Sequence, residues 1–297
     1  MALTVEITQD PAAFLAVAGD HLAQDPLLTT VVSTVTLRAL EQEARPGHPR
    51  WWATVHDDGV LVGVAMRTAP FAPHPLFVLP MPDGAAVALA RALHERGEDV
   101  PAVNGALPGV QALADEAARL AGGRARTWER TQLYALGELR VPSAVAGAPR
   151  PATEADLPLC AEWFETFHVD AAEQGGRDPG DGPREGPDPA DLAERVRGDR
   201  IVLWEVGGEV VSLTGFNPPS FGVARIGPVF TPRGHRGHGY ASACVAEVSR
   251  RLVAAGHRVC LFTDLGNATS NKVYRGLGYV PVVEMANVVV EQPRGIV

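Results

Sequence analysis

Lysine is almost missing from this chain: among its 26 lysines and arginines, Lys272 is the sole lysine. The arginine bias accompanies abundant alanine, glycine and proline and carries no functional reading. Cysteine is nearly as scarce. Cys160, Cys244 and Cys260 are odd in number and lack metal-ligand spacing, so they read as buried reduced thiols, and no metal site is expected. Basic charge is also short. The 35 acidic residues outnumber the basic ones, and the formal net charge of -9 speaks against broad nucleic-acid binding and against docking on an anionic membrane. It leaves room for a locally basic pocket that takes an anionic ligand. No apolar run is long enough to span a bilayer. The N-terminal stretch lacks a basic start followed by a long apolar segment, so no secretory signal is expected. These absences imply a cytoplasmic protein. The 46% of hydrophobic residues in a 297-residue chain suffice for the cores of two ordinary domains.

What is present is an internal echo. "WWATVHDDGVLVGVAMRTAPF" (51–71) and "IVLWEVGGEVVSLTGFNPPSF" (201–221) share one pattern: a strand, a tight turn on Asp-Gly or Gly-Gly, and a second strand. Each hairpin is followed by an extended stretch, a Gly/Pro break and a helix that ends at a glycine. A strand follows at 100–106 and 257–264, then another helix, and each half closes on strand-like segments, "RTWERTQLYALGEL" and "YVPVVEMANVVV". The reading is a duplicated α/β domain with an α+β mixed sheet, divided into residues 1–145 and 146–297. The small-residue and proline stretch 141–152 serves as the linker. A second low-complexity stretch, 171–196, is rich in glycine, proline and charge. It reads as a surface loop, or as a lid over a substrate site.

Between the second hairpin and its helix lies "TPRGHRGHGYASA" (231–243), with glycines at 234, 237 and 239. Before it, "IGPVFTP" reads as a buried strand. After it, Ala241, Val245, Val248 and Leu252 form one apolar helix face. The glycines therefore sit at a strand-to-helix turn, where the first helical amides lack internal partners beside the positive end of the helix dipole. Glycine lets an anion reach those amides, and Arg233 and Arg236 add charge. A plain surface turn fits the same local pattern. The run lacks the Gly-Lys-Ser/Thr ending of a nucleotide-binding P-loop and the G-x-G-x-x-G order of a dinucleotide fold.

The next motif, "TDLGNATSNKVYRGLGYVPV" (263–282), follows the next strand. Together "RGHGYASA" and "NATSNKVYRGLGY" resemble the two signature segments of the GNAT superfamily of N-acetyltransferases, over roughly residues 147–297. The resemblance implies that the backbone of Arg236, Gly237, His238, Gly239, Tyr240 and Ala241 binds the pyrophosphate of acetyl-CoA. It implies that Val229, Phe230 and Thr231 pair with the pantetheine arm, and that Asn267 and Asn271 contact the cofactor. Tyr274 matches the family's general acid, which protonates the departing thiolate. One departure is Gly234, which stands where the family often has Gln or Arg.

The chemistry implied is transfer of acetyl from acetyl-CoA to a primary amine of a small molecule or peptide, by direct attack. Mycothiol-synthase-like chemistry is a narrower version, and a non-catalytic acyl-CoA-binding sensor is an alternative of another class. Glu205, His235, Glu247 and Asp264 are conceivable bases, and a water chain is another route, so none is assigned. No nucleic acid or membrane partner is expected, and the protein reads as a monomer or homodimer. The first half departs from the pattern. Its counterpart of the glycine turn, "LPMPDGAAVALA", has Pro80 and Pro82 in place of amide donors and Asp83, which would repel phosphate, and the segment after its next strand, "NGALPGVQALADEAARLAGG", holds no tyrosine. It reads as a GNAT-like domain that does not bind the cofactor.

Overall fold

The computed structural model describes residues 2–42, 48–178 and 188–291. In chain order the elements are β1 (Leu3–Thr8), α1 (Pro11–Gln24), α2 (Thr30–Glu41), β2 (Trp51–Asp57), β3 (Val60–Arg67), β4 (Leu76–Val78), α3 (Asp83–Glu95), β5 (Ala102–Ala106), α4 (Gly109–Leu120) and β6 (Arg124–Leu136). There follow β7 (Ala148–Pro151), α5 (Leu157–Gln174), α6 (Pro189–Arg197), β8 (Ile201–Val206), β9 (Glu209–Phe216), β10 (Val223–Phe230), α7 (Tyr240–Ala254), β11 (Arg258–Asp264), α8 (Ala268–Gly276) and β12 (Tyr279–Glu291). Both halves are mixed α/β, as expected. Among the described residues no helix is long and apolar enough to cross a membrane.

The chain forms two compact units. One runs to Thr131 and resumes at Val283; the other is the uninterrupted stretch Gln132–Val282. This differs from a division at 145/146. The physical reason lies in β12, whose Met285–Val289 segment pairs antiparallel with β5 and so belongs to the first unit. The 141–152 stretch is also more than a linker. Residues 148–151 form β7 and pair antiparallel with β8. Its prolines suit the edge of a sheet, where an amide can be spared.

In the first unit β1, β2, β3 and β4 pair antiparallel in succession, and β4 runs parallel to β5. Phe14, Leu22, Val32 and Trp52 pack on one face of the sheet. Leu89 and Leu93 of α3 and Leu113 of α4 pack on the other. Asp10 caps α1 by accepting from the Ala12 amide (2.8 Å), ahead of Pro11 at the first helical position.

The second unit repeats this plan. The strands β7, β8, β9 and β10 pair antiparallel, and β10 runs parallel to β11. Helices α7 and α8 supply Val245, Val248 and Tyr274 to one face. Helices α5 and α6 supply Cys160, Trp163, Phe164, Leu192 and Val196 to the other. The loop reading of 171–196 is thereby corrected at both ends. Residues 171–174 close α5, and 189–196 lie in α6, started by Asp188 as cap with Pro189 behind it. Leu192 and Val196, four residues apart, bury that helix. Residues 179–187, the rest of the lid reading, lie outside the described residues.

Candidate functional site

The site begins where two parallel strands part. β10 and β11 pair from Val223 with Arg258 to Ile226 with Leu261, and there the pairing ends. β10 then shifts register and continues along β9, with Val229 opposite Thr214 and Phe230 opposite Leu213. β11 runs on to Asp264. The edge of β10 that carries Val229, Phe230 and Thr231 is thus left by β11. Phe230 turns its carbonyl toward β9, where Ser212 Oγ donates to it (3.0 Å). Strand alternation then directs the N–H and C=O of Val229 to the vacated edge. An extended chain bearing amides can add there as a strand would. The Thr231 carbonyl is already taken, by Arg236 Nε at 3.0 Å.

The glycine turn follows. A short 3-10 turn over Arg233–His235 leads into Gly237 (φ +82°) and Gly239 (φ +81°), the latter the N-cap of α7. Both lie in the left-handed region that favours glycine. The first amide of α7 to reach a carbonyl outside the helix body is that of Ala243, which donates to Gly239 (3.0 Å). Among the described residues the amides of Gly237, His238, Gly239, Tyr240 and Ala241 meet no backbone acceptor. They form an anion cradle at a helix N-terminus. His238 stacks on Tyr240, with centroids 5.3 Å apart and planes 12° from parallel.

The arginines of the turn are not loose. Asp170 of α5, 5% exposed, accepts at Oδ1 from Arg233 Nε (3.2 Å) and NH2 (2.9 Å) and at Oδ2 from Arg236 NH2. Glu173, one turn further on, also accepts from Arg233. Sequence inspection missed this helix as part of the site.

At the far end of β11 the turn into α8 is held equally firmly. Asn267 caps α8 by accepting from the Ser270 amide (3.0 Å), and its Nδ2 donates to Gln174 of α5 (3.0 Å). Asn271 is buried. Its Nδ2 donates to the carbonyls of Asp264 (2.7 Å) and Asn267 (2.8 Å), and its Oδ1 accepts from the Tyr134 hydroxyl (3.0 Å). The side chains expected to touch the cofactor are therefore engaged in shaping the turn. Tyr274, one turn along α8, packs edge-on against Tyr279 at 6.0 Å. Burial pushes its phenol up to about 12, so the group stays protonated at neutral pH.

Each conceivable base has a structural partner. Glu205 accepts from Arg150 (2.7 Å). His235 lies 3.3 Å from Glu209. Glu247 is lowered by hydrogen bonds from Arg250 and, secondarily, Arg251. Asp264 pairs with Arg177 and accepts from the Gly266 amide (2.8 Å).

Residues 159–279 match the model of the Acetyltransferase (GNAT) family. This stretch of the chain belongs to the GNAT family. Its members carry out acyl transfer from an acyl-CoA. No curated protein matches the sequence. Solved structures agree in fold over the whole chain. A GNAT-family acetyltransferase from Colwellia psychrerythraea is 10% identical with a TM-score of 0.57, covering 97% of this chain and 98% of its own. A GCN5-related N-acetyltransferase from Sphaerobacter thermophilus is 16% identical with a TM-score of 0.57, covering 96% and 94%. A tandem GNAT protein from the clavulanic acid biosynthesis pathway is 14% identical with a TM-score of 0.55, covering 99% and 100%. The chain thus has a tandem GNAT fold.

In the first GNAT-like unit the chain beyond β4 also follows β3, with the Leu79 amide donating to the Val64 carbonyl (2.9 Å). β4 and β5 stay paired through Val78 and Gly105. A Cβ on Gly105 would clash with the Val78 carbonyl oxygen. Met81, between Pro80 and Pro82, then fills the space beyond. It lies against Gly63 and Gly109, where added Cβ atoms would fall 3.0 Å from its sulfur and its carbonyl oxygen respectively.

Proposed function

We propose that the second unit transfers an acetyl group from acetyl-CoA to a primary amine of a small molecule or peptide. The observation that carries this is the junction of a parted β10/β11 edge with the run of open amides from Gly237 to Ala241. The edge suits the amides of a pantetheine arm, and the cradle suits a pyrophosphate. The amine nitrogen attacks the thioester carbonyl, the C–N bond forms, and the C–S bond breaks. The sulfur leaves as a thiolate, which Tyr274 protonates, and the tyrosinate takes a proton back from solvent. The amine's own proton passes to solvent.

Direct attack is favoured because no cysteine can serve as an acyl carrier. Cys160, Cys244 and Cys260 are buried, and burial pushes the thiols of Cys160 and Cys244 up to about 12. A thiol so held is not the nucleophilic thiolate that acyl transfer requires. Screening primary amines for acetyl-CoA-dependent release of free thiol tests the reading. Tight acetyl-CoA binding with no thiol release for any amine would favour a sensor instead.

The first unit has no cofactor role in this reading, because Pro80 and Pro82 remove amide donors and Met81 packs against Gly63 and Gly109 at the corresponding turn. Calorimetry is expected to find one acetyl-CoA per chain. Two equivalent sites would refute the assignment. Gly105→Ala is expected to destabilise the protein by about 1–3 kcal/mol in urea titrations, since the new methyl group meets backbone. A wild-type urea midpoint would show that β4 can step aside.

A further inference from the structure

We propose that Asp170 is a positioning residue for the pyrophosphate-binding turn, an inference that rests on the acetyl-CoA reading of that turn. Its side chain is 7% exposed and sits on α5, far in sequence from the turn. α5 is fixed against the end of β10 by Trp163, whose ring lies 5.5 Å from that of Phe230. From this fixed base the two carboxylate oxygens divide their work. Oδ1 holds Arg233 and Oδ2 holds Arg236, at the two ends of the 3-10 turn that precedes Gly237.

Arg236 then passes the constraint on. Its Nε binds the Thr231 carbonyl (3.0 Å), so one guanidinium ties the helix α5, the end of β10 and the start of the glycine turn together. The same helix ends at Gln174, which accepts from Asn267 on the other side of the site, and Arg177 just beyond it pairs with Asp264. The turn between Arg236 and Tyr240 contains two glycines in left-handed conformation and has little stiffness of its own. Open amides bind an anion well when they are held converging before it arrives. Asp170 supplies that hold.

A carboxylate beside a phosphate site also acts as a charge, and the two effects have opposite signs. Removing Asp170 frees positive charge on Arg233 and Arg236. Arg233 is largely exposed, and screened charge of this kind gains at most about twofold in affinity. Losing charge-assisted hydrogen bonds that fix the turn is worth on the order of tenfold. Positioning wins.

The test compares acetyl-CoA with S-acetylpantetheine, which keeps the arm and lacks the pyrophosphate. Asp170→Asn is expected to weaken acetyl-CoA binding on the order of tenfold, at low and high salt alike. S-acetylpantetheine affinity should be unchanged. Unchanged acetyl-CoA affinity would overturn the proposal. So would equal losses for both ligands, which signal general disorder, or tighter binding at low salt, which signals a mere counter-charge. If Asp170→Asn does not fold, Arg236→Gln removes the same hydrogen bond from the other side and is expected to show the same ligand-selective loss. Where both fold, the double variant should lose no more than the worse single one, and additive losses would overturn the link. Wild-type protein that binds neither ligand would instead sink the acetyl-CoA reading itself, and this inference with it.

Discussion

Replacing Tyr274 by phenylalanine is expected to lower kcat on the order of 10²-fold with little change in acetyl-CoA affinity. The ring is packed edge-on against Tyr279 and is 8% exposed, and phenylalanine keeps that packing. Burial raises the Tyr274 pKa, and phenylalanine suits the same buried position. What is lost is a proton donor to a thiolate, an interaction that grows only as the C–S bond breaks. Such a loss falls on kcat rather than on ground-state binding. The lower end of the range for general acids applies because a thiolate is a fair leaving group. With a phenol held at about 12, Tyr274 itself contributes no limb to the pH–rate profile between 6 and 10. Tyr279→Phe is the matched control. Its hydroxyl lies 2.7 Å from Ser249 Oγ, so that variant should lose about 1 kcal/mol of stability and keep its kcat. Steady-state kinetics on both, with chemistry shown to limit the rate, decides the matter. An unchanged kcat in Tyr274→Phe would return the residue to a packing role.

Valine at Gly237 or Gly239 is expected to weaken acetyl-CoA binding on the order of 10²-fold, the loss of about two charge-assisted amide contacts. The two positions fail for related reasons. At Gly237 a Cβ would meet nothing within 4 Å, so the obstacle is the backbone: a φ of +82° is strained for a β-branched residue. At Gly239 the same strain is joined by Val145, whose Cγ2 would stand 3.3 Å from the new Cβ. Relief of either strain swings the amides out of convergence. Gly84→Val in the first unit is the control, because Gly84 has an ordinary φ and only Leu3 at 3.9 Å. Titration calorimetry on folded variants should separate the pair from the control. Equal affinities in all three would refute the cradle.

The sequence revealed the parts of this molecule that local chemistry dictates. Both hairpins were legible because Asp58-Gly59 and Gly207-Gly208 supply the positive φ that a two-residue turn demands. The ends of α3 and α7 were legible because Gly97 and Gly256 take the left-handed step after each helix. The glycine turn and the Tyr274 helix were legible as motifs. The brace on the turn was not, since Asp170 lies 63 and 66 residues from its arginines and nothing local marks a buried carboxylate. The hydrogen bonds of Asn267 and Asn271 were illegible for a similar reason: their partners Gln174 and Tyr134 come from distant elements. Helix α6 was hidden by its own composition, although Asp188-Pro189 and the Leu192/Val196 spacing were a readable start signal.

The return of β12 to the first unit bears on how the polypeptide is born. The first unit leads at the ribosome, yet its β5 has no partner on the β12 side until residues 285–289 are made. The second unit, Gln132–Val282, is an insertion within it and can close as soon as its own residues are out. Synthesis order and completion order are therefore reversed. During that interval β5 presents a bare edge of the kind that invites mispairing between nascent chains. Any stop codon shortly after residue 282 would leave the transferase unit whole and condemn the other.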